Sequence, residues 1–381
     1  MSPTPVTYSL PGQPASYSWE ATDEEVSARF GIAPDRIVRF DLNTSPAPPD
    51  LAARLLARGQ FETALSEYPP SDYRRLVAAA AERYGVAPDE VLVGAGADEI
   101  LDIIGKAYLG PGLSAVLPIP TYAMYRVITE QRGARLIAVG RRGPEDGYAL
   151  DLAATRLAAR DAAIVWLCSP NNPTGLAEPD GAIERLLSDI DDDARADDRT
   201  APLVVLDEAY AEFIGRSLLG LRVDHPNLIV VRTASKAYAL AGLRVGFGLA
   251  RPEVIARLNP YRPPGSVSTV SVTIVTEALR DPGAFAANVD RVVTERERLT
   301  TALQQLGWTV RPSVTNFVLV AFERPGRAAD VAVGLLRHGL VPRTFPAGHP
   351  LADHLRLTVR DGTDNDRLIA AARTLSPGGA P

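Results

Sequence analysis

Apolar positions along the chain follow two rhythms. Short, nearly continuous aliphatic runs recur: "EVLVGAG", "SAVLPI", "RLIAVG", "AAIVWLCS", "PLVVLDEA", "NLIVVRT" and "RVGFGLA". Between them lie longer stretches whose apolar residues return every three or four positions, the spacing of one helical face. "DYRRLVAAAAERY" at 72–84 is such a stretch, and Gly85 supplies a C-terminal stop. Strands that are apolar throughout and separated by helices predict a mostly parallel mixed sheet flanked by helices on both faces. After "NPYRPPGSVST" (259–269) the rhythm changes. A long helix over roughly 283–306 leads into "TVRPSVTNFVLVAF", "ADVAVGLLRHG", "LVPRTF", "HLRLTVR" and a last helix to about Leu375. The expected organisation is an N-terminal arm over 1–45 that joins the smaller domain, a large α/β domain over 46–262, and a small α+β domain over 263–381.

Composition narrows the classes of function. With 46% hydrophobic and 23% charged residues the chain reads as an ordinary globular protein. A net charge of −6 argues against a nucleic-acid partner, which calls for a basic face. One cysteine, Cys168, excludes an internal disulfide framework and suits a reducing cytoplasm. No apolar run reaches membrane-spanning length, and the opening lacks the layout of a signal peptide, so a cytoplasmic protein without a membrane partner is expected. The four histidines (225, 338, 349 and 354) have no metal-ligand spacing. The acidic run "SDIDDDARADDRT" (188–200) lacks the turn glycine and bidentate glutamate of a calcium loop and reads as a solvated helix-to-strand connection. No metal is expected.

Basic residues are distributed unevenly: 38 arginines and two lysines, Lys106 and Lys236. Arginine stays protonated, whereas a lysine amine whose pKa is lowered can condense with an aldehyde. Lys106 sits inside the helical run "EILDIIGKAYLG" and reads as a surface residue; Lys236 sits in "RTASKAYALAGLRVG" beside Thr233, Ser235 and Arg244, which offer hydroxyls and positive charge to a phosphate. Four further places put unusual residues just after an apolar run, where α/β sheets collect ligands. In "VLVGAGADEIL", Asp98 can begin a helix whose free N–H groups face a phosphate, although a plain strand–turn–helix junction fits equally well. Glu99 stands where a dinucleotide fingerprint needs glycine. Tyr122 in "PIPTYAMYR" either packs or stacks on a flat ligand. "CSPNNPTG" forms a tight turn with free amides, more specific than turn chemistry requires. Asp207 in "VVLDEAYAEF" ends a central strand; it is either a helix cap or a buried carboxylate that needs a cation, with Tyr210 three residues on. Together these parts describe a holder for pyridoxal 5'-phosphate, with an amine for the aldehyde, an acid for the ring nitrogen, amide and phenol for the ring oxygen, an aromatic cover and a phosphate cradle.

The order of "DLNTSPAPP", "YPPSDYRRL", "GAGADE", "PTYAMY", "NNPTG", "DEAY", "TASKAYALAGLRVG", "PSVTNFVLV" and "HLRLTV" closely resembles the fold-type I aminotransferases, and within them the histidinol-phosphate aminotransferase family. The resemblance implies an aspartate-aminotransferase-like fold and a ping-pong transamination between an amino donor, L-histidinol phosphate or an aromatic amino acid, and a 2-oxo acid, 2-oxoglutarate. It implies that Lys236 binds the cofactor aldehyde and shuttles the substrate proton, that Asp207 partners the ring nitrogen, that Asn172 and Tyr210 bond the ring oxygen, and that Tyr122 stacks. It places the phosphate on the backbone of Ala97 and Asp98, on Thr233 and Ser235, and on Arg244. Tyr68 matches a tyrosine reaching the phosphate from a neighbouring subunit, which implies a homodimer. Arg356 matches the receiver of the substrate carboxylate, Arg343 a position near the donor's phosphate or side chain, and Asn316 a pocket-lining residue. The tail "TVRDGTDN" departs from the family by adding Arg360 and Asp361, and resembles the related threonine-phosphate decarboxylases. A non-catalytic regulator on the same fold is the remaining alternative, opposed by the presence of Lys236 and by an arm that is neither basic nor helix-turn-helix in pattern.

Overall fold

The computed structural model describes residues 16–281 and 283–376; the first fifteen residues of the expected arm lie outside them. The predicted apolar runs form a seven-stranded sheet: β1 Val91–Gly94, β2 Ser114–Ile119, β3 Arg135–Gly140, β4 Ile164–Cys168, β5 Leu203–Asp207, β6 Leu228–Thr233 and β7 Gly246–Ala250. Their spatial order is β1-β7-β6-β5-β4-β2-β3. All neighbours pair in parallel except β7, which runs antiparallel to both β1 and β6. The sheet is therefore mixed and mostly parallel, as the run pattern predicts.

Burial on both faces explains why these strands read as continuous apolar runs. In β5, Val204 and Leu206 point into one core with the helices Arg74–Tyr84, Ala182–Ala196 and Thr269–Arg280. Val205 points the other way, into a core with Ala97–Tyr108, Ala123–Gln131 and Pro252–Leu258. The helix predicted to stop at Gly85 does so, with Gly85 in the left-handed conformation at φ 67°. The acidic run at 188–200 is helical as far as Ala196 before it leads into β5, and it is not solvated throughout: Asp193 faces inward, where Arg156 and Arg160 neutralise it.

A second core gathers the three-stranded antiparallel sheet β8 Thr309–Arg311, β9 Phe317–Ala321 and β10 His354–Thr358, in the order β10-β9-β8. The helices Ala286–Gln305, Arg327–Arg337 and Gly362–Leu375 cover it. Val38–Arg39 pairs with Leu340–Val341, so the N-terminal segment is stitched to this C-terminal unit. Tyr210 and Ala237 belong to the second core although both follow strands of the large sheet, so the two bodies of the fold meet at the carboxyl edge of β5 and β6. Among the described residues no helix is long and apolar enough to cross a membrane.

Candidate active site

Asp207 is the last residue of β5 and is buried. Its Oδ2 accepts from Tyr125 Oη at 2.7 Å and its Oδ1 from the Ala209 N–H at 3.0 Å. Burial raises the carboxyl from the ordinary 3.8 to about 6, and those two donors offset only part of that cost. The Ala209 contact is a local turn bond followed by a 3-10 turn at Ala211–Phe213, so no α-helix is capped here. Burial and the neighbouring carboxylate push the Tyr125 phenol well up, which keeps it a donor. An acid so placed is stabilised in its ionised form by a cation.

Lys236 is the third residue of the loop that follows β6. Its Nζ donates to Asn43 O at 3.1 Å and to Leu42 O at 3.4 Å, 5.9 Å from the centre of the Tyr210 ring. The amine's pKa falls to about 8. Burial is the main cause; the positive charges of Arg356 and Arg244 add to it, and Asp98 and Asp207 oppose it. A usable fraction of free amine near neutral pH follows. Lys106, by contrast, pairs with Asp102 at 2.7 Å one helical turn away.

A connected polar network surrounds this pair. Tyr210 Oη accepts from Asn43 Nδ2 at 3.0 Å, and burial raises its phenol. Asn172 Oδ1 accepts from Arg356 Nη1 at 2.6 Å, while Arg356 Nη2 donates to Asp41 O. Among the described residues Arg356 Nε has no partner, and the guanidinium lies 5.4 Å over the Phe317 ring. Asn316 Nδ2 donates to Asn43 O at 2.9 Å, leaving its own Oδ1 unpartnered. Arg343 and Arg356 are held side by side by two main-chain bonds at 3.0 and 3.1 Å. The Arg343 guanidinium turns toward the N-terminal segment: it donates to Ser18 O at 2.7 Å, stands 3.6 Å from Glu20 and lies 5.1 Å over the Tyr17 ring. Glu20 is itself anchored by the N–H and hydroxyl of Thr344 at 2.7 and 2.9 Å.

At the other end, the helix Ala97–Tyr108 begins at Gly96 with no side chain capping it, so the N–H groups of Ala97 and Asp98 are open to an anion. Gly96 takes a left-handed φ of 85°, which favours glycine, and lets the Arg244 guanidinium approach, since a Cβ there would lie 2.5 Å from Nη2. A Cβ on Gly246 would lie 2.4 Å from the Gly96 carbonyl carbon. The two glycines thus let the turn, β7 and Arg244 close on one another. The Asp98 carboxylate accepts from Tyr122 Oη at 3.0 Å and pairs with Arg244 at 3.4 Å. Thr233 Oγ1 and Ser235 Oγ are 3.0 Å apart. The Tyr122 ring continues an aromatic series from Tyr17 (6.4 Å) to Tyr125 (5.6 Å).

The structure therefore brings together Lys236, Asp207, Tyr210, Asn172, Arg356, Asn316 and Arg343 around Asn43 and the carboxyl edge of the sheet, with Ala97, Asp98, Tyr122, Thr233, Ser235 and Arg244 at the adjoining turn. Tyr68 stands apart, 90% exposed, its ring beside Gly265. Sequence reasoning missed Tyr125, Asn43 and Asn288. Tyr125 was within reach of it, since it lies in the first turn of the helix Ala123–Gln131, three positions after Tyr122 at the N-cap. Asn288 donates to the main-chain oxygens of Lys236 and Ala237, a contact made across the fold and invisible locally.

The donor set fits pyridoxal 5'-phosphate. Among the described residues a buried acid has no cation bonded to it, an uncapped helix start adjoins hydroxyls and an arginine, and two buried polar atoms, Arg356 Nε and Asn316 Oδ1, are unpartnered. Residues 40–373 match the family model of class I and II aminotransferases. Over 96% of its length the chain is 36% identical to a histidinol-phosphate aminotransferase of Symbiobacterium thermophilum, covering 94% of that protein. The structure is similar to that of the Sinorhizobium meliloti histidinol-phosphate aminotransferase in complex with pyridoxal 5'-phosphate, with TM-score 0.81, 26% identity, and 95% and 96% of the two chains covered. It also shares its fold with an L-threonine-O-3-phosphate decarboxylase of Porphyromonas gingivalis, with TM-score 0.74, 24% identity, and 89% and 99% of the chains covered.

Proposed function

We propose a transamination site, and the premise is plain: the chain belongs to the class I and II aminotransferases, within them to the histidinol-phosphate aminotransferase family. It is a pyridoxal-phosphate-dependent aminotransferase with the fold of type I enzymes. When bound, the cofactor supplies an aldehyde and an electron sink for the carbon that loses its proton. In this reading Lys236 Nζ would hold the cofactor's aldehyde carbon at rest and, once displaced by the substrate's amine, would be the base that carries the proton away from the substrate α-carbon. Asp207, ionised, keeps the ring nitrogen protonated, while Tyr125 and the Ala209 N–H keep that carboxylate aimed. Tyr210 and Asn172 hold the ring oxygen and Tyr122 covers the ring. The N–H groups of Ala97 and Asp98, the hydroxyls of Thr233 and Ser235, and Arg244 hold the phosphate. Arg356 receives the carboxylate of the 2-oxo acid as a guanidinium fork.

For the amino donor we take L-histidinol phosphate, the substrate named in the relatives, with 2-oxoglutarate as acceptor. One observation supports the reading above all: the only lysine in the large sheet's ligand edge combines a lowered pKa with an acid and a guanidinium in the places amine exchange needs. A specific observation favours a second donor class. Arg343, expected near a donor phosphate, is already engaged by Ser18 and Glu20, and Tyr17, Trp19 and Tyr122 form an aromatic tier beside it. That arrangement suits an aromatic amino acid. Mixing the loaded protein with each donor in a single turnover and following the cofactor absorbance discriminates them. Release of CO₂ from O-phosphothreonine without amine transfer would instead favour the decarboxylase reading, which the 36% identical aminotransferase relative disfavours.

We further propose a cytoplasmic homodimer in which Tyr68 completes the phosphate site of a second copy. Its exposed ring, with exposed Leu65 and Leu56 in the same stretch, supports that placement. Mixing inactive Tyr68→Ala and Lys236→Ala proteins tests it: a shared site restores about a quarter of the activity by forming one intact site in mixed dimers, and no recovery rejects it.

A further inference from the structure

Asn43 was not among the residues the sequence singled out, yet more of the site converges on it than on any residue named there. It is 1% exposed and takes the left-handed backbone conformation, φ 53°. Asparagine is one of the few side chains that adopts this conformation readily. The Thr358 hydroxyl fixes that conformation from both ends of the residue. It accepts the Asn43 N–H at 2.9 Å, and its one proton is shared between Phe40 O at 2.7 Å and Asn43 Oδ1 at 3.3 Å, which marks the latter atom as the amide oxygen. With the backbone so turned, the Asn43 carbonyl faces the site and accepts from both Lys236 Nζ and Asn316 Nδ2. The side-chain amide faces the other way and donates to Tyr210 Oη.

The direction of that last bond carries the consequence. Tyr210 Oη receives a proton donor from Asn43, so its own hydroxyl proton must point elsewhere, and it becomes a donor toward the middle of the site. We infer that Asn43 is a positioning residue with two separable tasks: its main-chain carbonyl seats the amine of Lys236, and its side-chain amide sets Tyr210 as a donor toward the cofactor's ring oxygen. The second task rests on the proposed role of Tyr210. Had Asn43 been a carboxylate, the Tyr210 proton would be drawn toward position 43 and away from the ring.

A donor aimed at the ring oxygen favours the anionic form of the bound chromophore, so the pH midpoint of its colour change reports where the Tyr210 proton points. The test compares Asn43→Gly, Tyr210→Phe and the double variant by absorbance titration of cofactor-loaded protein. Glycine keeps the carbonyl and the left-handed backbone while removing the amide. Tyr210→Phe raises the midpoint by about one pH unit or more, the worth of a hydrogen bond to a charged group. Asn43→Gly raises it in the same direction, and the double variant moves no further than Tyr210→Phe. A wild-type midpoint in Asn43→Gly, or additive shifts in the double variant, overturns the inference. No shift in Tyr210→Phe overturns instead the proposed role of Tyr210.

The lysine task is read in the cofactor-free protein by the pH dependence of Lys236 acylation. Its midpoint, near 8 in the wild type, is unchanged in Asn43→Gly, because the seating group is the main chain. A displaced midpoint there overturns that half of the inference. Asn43→Asp covers the case in which the glycine variant does not fold. It keeps the shape but replaces the donor by an acceptor, so the chromophore midpoint rises at least as far as in Tyr210→Phe; an unmoved midpoint overturns the inference.

Discussion

Replacing Asp207 by asparagine should make the cofactor-free protein more stable while crippling the loaded one. The carboxyl is buried at the end of β5 with two hydrogen-bond donors and no cation bonded to it. Its rise from 3.8 to about 6 corresponds to about 3 kcal/mol of destabilisation once the group is ionised, at 1.36 kcal/mol per pH unit. The sign follows from linkage. The native state holds this proton more tightly than the unfolded state, so the group's contribution is fully favourable below the unfolded value and is lost as pH rises through about 6. Asparagine removes the charge and keeps both contacts, its oxygen accepting from the Ala209 N–H and its amide donating to Tyr125 Oη. For a chain of 381 residues the gain amounts to about 4 °C in Tm at pH 8, and about half as much at pH 5. Calorimetry of the two cofactor-free proteins at both pH values measures it, and the same pair loaded with cofactor should show the order reversed, with turnover in the variant reduced by several orders of magnitude. A variant no more stable than wild type at pH 8, or a difference independent of pH, would refute the idea that Asp207 is a charge held in readiness for a cation.

Arg356→Ala should raise the KM for the 2-oxo acid by about 10- to 150-fold, the worth of a hydrogen bond to a charged group, and should change the KM for histidinol phosphate far less, since that donor has no carboxylate. Steady-state kinetics with each substrate varied in turn separates the two. Glu20→Gln should favour phosphorylated over aromatic donors by freeing Arg343 of its carboxylate neighbour, and an unchanged donor preference would show that the pair does not set selectivity. Arg232→Met leaves Glu208 and Glu212, which it contacts at 2.9 and 2.6 Å, buried without the guanidinium they share. A loss of about 3–5 kcal/mol is expected in denaturant unfolding.

The large sheet was legible because its strands are buried on both faces, which leaves the continuous runs seen from "EVLVGAG" to "RVGFGLA". Lys236 and Asp207 were legible for a related reason: a lysine among arginines and an acid ending an apolar run are both chemically costly where they stand. The reversal of β7 was not legible, because strand direction depends on partners distant in sequence. Asn43 escaped for the same reason. Nothing in "DLNTSP" tells that a carbonyl there meets an amine 193 residues later. Arg343 was found by resemblance, but its engagement with Ser18 and Glu20 depends on how the N-terminal segment lies, which no local pattern encodes.

Reductive trapping bears most directly on whether Lys236 carries the chemistry. Protein loaded with pyridoxal 5'-phosphate, reduced with borohydride and digested, should carry the pyridoxyl mass on the peptide containing Lys236, and Lys236→Ala should carry none there. A tag on Lys106 or another amine in its place, or no tag at all on protein that has bound the cofactor, would contradict it.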